Sequence, residues 1–181
     1  NLSGDILLTH EGVSGPLVYK ISSLCAFEDY SVENPIEIII NFTKCDFETF
    51  DRKFVEILNL KSQKDILNIV SEYLPKSLAN ISLLKNNINP SKKAHEINKN
   101  DRQKISGFLT SFKIHAVSPA KDGEIVTAGG VNLDEINPKT MESKLVKGLY
   151  FCGEVLNIDG FTGGFNLQSC WSSGYIAGNS Q

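Results

Sequence analysis

The residues best able to do chemistry lie near the C-terminal end. Gly148 opens a short apolar run, Leu149 to Cys152, that closes on Gly153 and Glu154. Asp159 and Gly160 follow, then Gly163, Gly164, Phe165, Asn166, Leu167 and Gln168. The pattern predicts a buried strand, a glycine-rich loop and the start of a helix. A helix N-terminus leaves backbone N–H groups unpaired and carries partial positive charge. It can hold an anion or a developing negative charge. Glycines there let a flat ligand approach the backbone. Glu154 and Asp159 can accept hydrogen bonds from sugar or ribityl hydroxyls. The same glycines also suit an ordinary strand–loop–helix unit, and on glycines and one acid alone that reading is the stronger.

Other candidates are weaker. Gly12-Val13-Ser14-Gly15 is one residue short of the G-x-S-x-G nucleophile elbow, and no triad partner is placed beside it. His10 precedes this turn, where a capping or hydrogen-bonding role competes with a general-base role. Glu11 reads as a solvated turn residue. Cys25, Cys45, Cys152 and Cys170 form no C-x-x-C pair and suit no zinc site. They read as reduced, buried packing residues of a cytoplasmic protein. His10, His95 and His115 are far apart, and no metal site is expected.

Those candidates need elements to position them. Ile6 to Leu8 reads as a buried strand, Gly12 and Gly15 as a turn, and Pro16 as a first helical residue ahead of Leu17, Val18, Ile21 and Leu24. Ile36 to Phe42 reads as a second strand. No glycine occurs between Gly15 and Gly107, and 46–112 reads as a cluster of short helices. In that cluster Ser62 and Asp65 resemble a capping box, and Ile66, Leu67, Ile69, Val70, Tyr73 and Leu74 form a stripe. Pro75 opens the next helix. Asn100 or Asp101 caps another, carrying Ile105, Phe108, Leu109 and Phe112. Ile114–Val117 and Glu124–Thr127 read as strands. The last helix runs from Phe165 or Asn166 to Ala177, with Trp171 in the core.

Composition sets the frame. The 181 residues are 41% hydrophobic and 22% charged, enough apolar material for a core. No apolar run approaches the roughly 18 residues of a membrane span. The formal net charge is −3. Residues 51–104 hold eleven Lys and Arg against six Asp and Glu, a net +5, which leaves −8 for the rest. This basic middle (Lys85, Lys92, Lys93, Lys99, Arg102, Lys104) has no interleaved aromatics and no groove-reading motif. It reads as a solvated face, with nucleic acid the less favoured partner. The chain begins at Asn1, directly before a strand, and is expected to lack its natural N-terminus.

Several motifs together change the weighing at the C-terminal end. These are Thr9-His10-Glu11-Gly12-Val13-Ser14-Gly15-Pro16, Thr127-Ala128-Gly129-Gly130-Val131, Thr140 to Lys144, Gly148 to Leu156, Asp159-Gly160, Gly163 to Gln168, Ser173-Gly174 and Ala177-Gly178. In this order they resemble NAD(P)/FAD-dependent oxidoreductases of the aminoacetone-oxidase and BaiN (bile-acid reductase) type. The resemblance covers both ends of the chain. The helical middle matches in position and character more than in residues. Asn157 stands where the family often has Asp, and Phe165 where it often has Tyr.

The resemblance implies an α+β fragment of an α/β flavoprotein. A small β-barrel carries an inserted helical cluster, and a C-terminal strand–loop–helix belongs to a Rossmann-like FAD domain. The expected segments are 1–45 for part of the barrel, 46–112 for the helical insert, 113–125 for the return strands and 126–181 for the FAD-domain segment. FAD contacts fall on Gly129, Gly130, Gly153, Glu154, Asp159, Gly160, Gly163, Gly164, Phe165, Asn166, Leu167 and Gln168. The helix start would stabilise negative charge on the flavin pyrimidine ring. The chain contains no G-x-G-x-x-G, so the missing N-terminal FAD-binding segment is the expected partner and this piece supplies one wall of the site. The implied chemistry is hydride transfer through FAD, either amine oxidation or NAD(P)H-dependent reduction of a conjugated double bond in a small molecule. A non-catalytic module that uses the basic middle to bind nucleic acid or protein is the alternative.

Overall fold

A computed structural model describes residues 1–120 and 126–180. The chain divides into two compact units, 1–34 with 118–181, and 35–117.

In the second unit, β3 (Ile36–Ile40) pairs antiparallel with β4 (Phe112–Ala116), Ile38 opposite Ile114. Alternation turns Ile36, Ile38 and Ile40 inward. Glu37 and Lys113 meet on the outer face at 3.0 Å. The helices α2 (Phe47–Leu60), α3 (Ile66–Val70), α4 (Lys76–Lys85) and α5 (Lys99–Thr110) lie between these strands in sequence. Asp46 caps α2 by accepting the Thr49 N–H at 2.8 Å. Phe50, Phe54 and Leu58 recur every four residues along α2 and are buried with Ile66, Ile69, Val70, Leu83, Ile105 and Leu109. Arg102 makes a two-pronged contact with Asp51, at 2.9 and 2.8 Å, joining α5 to α2. Ser106 also donates to Asp51. These bonds, the Arg102 bonds foremost, hold the Asp51 carboxyl below the usual carboxylate range.

In the first unit, β1 (Leu7–Leu8) and β2 (Val13–Ser14) form a two-residue pair ahead of α1 (Pro16–Leu24). A small core of Ile136, Met141, Leu156 and Ala177 gathers the C-terminal segment against α6 (Phe165–Asn179). Pro16 does open α1 as expected, and α6 starts at Phe165.

Several expectations are corrected. Among the described residues no barrel closes, and the strands form two separate two-stranded sheets. Leu7 and Leu8 are exposed, because a two-residue pair has no second layer to bury them. Leu149–Cys152 is not a strand. Tyr150 makes one bridge to Glu142, and no ladder extends it. Ser62 and Asp65 form no capping box. The Asp65 carboxylate turns instead to Lys93 at 2.7 Å. Asn98, not Asn100 or Asp101, caps α5 by accepting the Asp101 N–H. Trp171 is 67% exposed. No cysteine is buried, and Cys152 is exposed. Of the expected strand at Glu124–Thr127, residues 124 and 125 lie outside the described residues, and Val126 and Thr127 are irregular.

Candidate functional site

The glycine-rich segment is built against α6 by four local devices. Val131 forms a parallel bridge to Leu156, donating to Val155 O at 2.8 Å and accepting from the Asn157 N–H at 3.0 Å. This contact explains Gly130. A Cβ there would stand 2.5 Å from Val155 O, so no side chain fits. Ser173, buried on α6, accepts the Gly153 N–H at 3.0 Å and donates to Ser169 O at 2.7 Å. It fixes the turn that presents Glu154. Asn166 clamps Gly160 on both sides, accepting its N–H at 2.7 Å and donating to its carbonyl at 3.2 Å. Ser23 of α1 donates to the Asp159 carboxylate, so residues 136 positions apart hold the loop together.

The loop ends on bare backbone. Gly164 takes the left-handed conformation (φ 89°) as the residue before α6, and an added Cβ there meets nothing within 4 Å. No side chain caps α6; the Gln168 N–H is the first to return to a helix carbonyl, Gly164 O at 2.9 Å. Phe165 and Leu167 are exposed, and the Gln168 amide donates to Ser172 Oγ at 3.1 Å. A crevice lined by Thr127, Gly153, Glu154, Asn166 and Cys170 encloses about 10 Å³, room for about one water. The arrangement is therefore a wall and not a pocket. A wider apolar groove of about 290 Å³ lies on the serine side of α6, beside Leu133, Met141 and Ile176.

The structure brings Gly153, Glu154 and Asn166 to one crevice and joins Gly160 to Asn166; Asp159 is held by Ser23, and Gly163, Gly164, Phe165, Leu167 and Gln168 lie along the entry to α6. Gly130 joins them through the Val131 bridge. Gly129, also at positive φ, borders open space. His10 is exposed on the β1–β2 turn, 3.7 Å from the Glu11 carboxylate. Ser23 and Ser173 were not foreseen as site residues, because a serine's long-range partner leaves no periodic trace in sequence. Among the described residues no cluster of metal-ligating side chains occurs, and no helix is long and apolar enough to cross a membrane.

Comparison with known proteins decides the family. The HI0933-like protein Rossmann domain pattern matches residues 18–180. The chain belongs to the HI0933-like Rossmann-domain family. This is a flavoprotein family of the FAD-binding oxidoreductase superfamily. The chain is 32% identical over 173 residues, 94% of its length, to the Escherichia coli ribosomal RNA dihydrouridine synthase. It is 32% identical over 172 residues to the Haemophilus influenzae protein of the same name. A 57-residue stretch is 49% identical to the 3-dehydro-bile acid delta(4,6)-reductase of Clostridium scindens. The chain spans about 40% of the length of the two dihydrouridine synthases and 14% of the reductase.

The residues present fit FAD. Gly163 and Gly164, both at positive φ, leave the backbone before α6 bare, with nothing within 4 Å of a Cβ at Gly164. The uncapped start of α6 suits a group that gains negative charge, and Glu154 and Asp159 would be the carboxylates able to accept from ribityl or ribose hydroxyls.

Proposed function

We propose that this chain supplies the C-terminal wall of an FAD site in an NAD(P)H-dependent reductase of a conjugated carbon–carbon double bond. When bound, FAD supplies hydride transfer. The protein's share is placement and electrostatics. The N-terminus of α6 faces the region where negative charge grows on reduction, and uncapped amides favour that charge. The Asn166 clamp and the Val131 bridge hold the backbone in place before any ligand arrives. Ser173 sets the height of Glu154, and Ser23 aims Asp159. The Rossmann segment that holds the pyrophosphate would come from the rest of the protein. The observation that carries this reading is the pair of bare glycines directly before an uncapped fifteen-residue helix in a flavoprotein family.

Reduction is favoured over amine oxidation by the relatives' names. A dihydrouridine synthase and a delta(4,6)-reductase both add hydrogen across a double bond conjugated to a carbonyl. For the substrate, uridine in ribosomal RNA is the better reading. The two synthases align over about 94% of the chain, which takes in the helical unit. The bile-acid reductase match, at 57 residues, is too short to contain that unit. A steroid-type enone is the second reading, supported by the higher identity within that shorter stretch.

The test uses the full-length protein with bound flavin, in-vitro-transcribed ribosomal RNA, and NADH or NADPH without oxygen. The expected product is a uridine heavier by two hydrogens, found by nuclease digestion and mass spectrometry. Flavin reoxidation by a 3-oxo-Δ4,6-steroid, with RNA left unmodified, would replace the first reading by the second.

A further inference from the structure

We propose that the helical unit carries a ribosomal-RNA docking surface, made by the α4–α5 loop and the facing side of α5, centred on Lys85 and Lys104. The proposal rests on the reading of ribosomal RNA as substrate. Residues 73–95 contain no Asp or Glu, yet they hold Lys76, Lys85, Lys92 and Lys93. The structure shows where these charges go. Lys92 is neutralised by Asp101 at 2.8 Å and Lys93 by Asp65 at 2.7 Å. Among the described residues no carboxylate lies within ion-pair distance of Lys85 or Lys104. The Lys104 ammonium instead donates to Asn86 O at 3.3 Å, which brings it beside the end of α4.

The loop between them is rigid. Asn87 takes the left-handed conformation (φ 58°) just past α4, and the Ile88 N–H returns to Leu83 O at 2.9 Å, a helix-stop geometry. Ile88 is buried. Further on, Pro90 O and Lys92 O accept the Leu67 and Ile66 N–H groups. With its backbone tied on both sides, the loop turns Asn87, Asn89 and Ser91 out to solvent. The outer surface from Lys85 to Ser91 therefore offers ammonium, amide and hydroxyl groups, and the nearest loop carboxylate, Glu96, is engaged by the Lys93 N–H at 2.6 Å.

Elsewhere on the unit the cations are mostly set among carboxylates. Glu48 and Glu56 share α2 with Arg52 and Lys53, and Glu72 takes both Lys61 and Lys64. A pre-formed, hydrogen-bonding surface with an excess of ammonium groups suits a phosphate backbone with 2′-hydroxyls. A solvated helix face needs neither the absence of acids nor a rigid loop.

The experiment titrates full-length, flavin-bound protein with fluorescent fragments of in-vitro-transcribed ribosomal RNA at several salt concentrations. K85Q/K104Q removes two phosphate partners. Affinity near 0.1 M salt should fall by about tenfold, and the slope of log affinity against log salt should drop by about 1 to 2. The flavin spectrum and melting temperature should stay unchanged, which excludes misfolding as the cause. RNA binding indifferent to both substitutions overturns the proposal. So does binding of poly-glutamate that is lost with them while RNA binding stays, which would mark an acidic protein as the occupant. The underlying reading is judged separately. Wild-type protein that binds RNA through these lysines but forms no dihydrouridine leaves the surface standing and refutes the substrate reaction.

Discussion

Replacing Asn166 by Ala isolates the clamp that holds the glycine-rich loop at Gly160. Its amide makes two hydrogen bonds to Gly160, at 2.7 and 3.2 Å, both partly shielded from water. Each such bond contributes about 0.5–1.5 kcal/mol net. Losing both takes about 1–2 kcal/mol from the ordered loop, because water re-pairs part of what is lost. FAD would then have to order the loop on binding, and its apparent affinity falls with the fraction of molecules already competent. At 1.4 kcal/mol per factor of ten, the expected loss is about 5- to 30-fold. The assay is FAD titration of full-length apoprotein, followed by quenching of flavin fluorescence. Melting of the apoprotein should barely move, since Asn166 lies outside the Ile136–Leu156 core. A variant that binds FAD within about twofold of wild type refutes the clamp as a pre-ordering device.

Three further outcomes follow from the packing and charge. Gly130→Ala puts a methyl 2.5 Å from Val155 O at φ 130°, so it should destabilise the first unit by about 2 kcal/mol or more; an unchanged denaturation midpoint would show that the Val131 bridge is not formed. Phe54→Ala empties a position that is fully buried and should cost the helical unit about 3–5 kcal/mol, read by urea unfolding. Arg102 holds the folded Asp51 carboxyl below its usual range, so its contribution is present above the unfolded value near pH 4 and is lost as pH falls through the lower folded value. The urea midpoint should therefore drop at acid pH in wild type, and drop less in Asp51→Asn; parallel curves would assign the acid sensitivity to other carboxylates.

Local signals were legible where the chemistry is local. Pro16 announces α1, Pro75 precedes α4, and Gly163–Gly164 announce α6, because each sets backbone conformation within a few residues. Of the stripe from Ile66 to Leu74, Ile66, Ile69, Val70 and Leu74 are buried and Leu67 and Tyr73 pack partly buried against them, although the helix ends at Val70. Long-range pairing left weaker traces. Asp65 follows Ser62 at capping distance, but Lys93, 28 residues away, takes its carboxylate. The Ser23–Asp159 and Ser173–Gly153 bonds have no sequence signature. Trp171 illustrates a different limit. Trp171 reads as core on the last helix, yet it is exposed together with Leu167 and Tyr175, which share its four-residue spacing. Spacing identifies an apolar face and says nothing of what covers it.

The most direct test is the visible absorption spectrum of the full-length protein, purified without added cofactor. A flavin spectrum is predicted, and it should be lost when Gly163 and Gly164 are both replaced by bulky residues while the protein stays folded. A colourless, folded wild-type protein that also fails to take up added FAD would contradict the account at its centre.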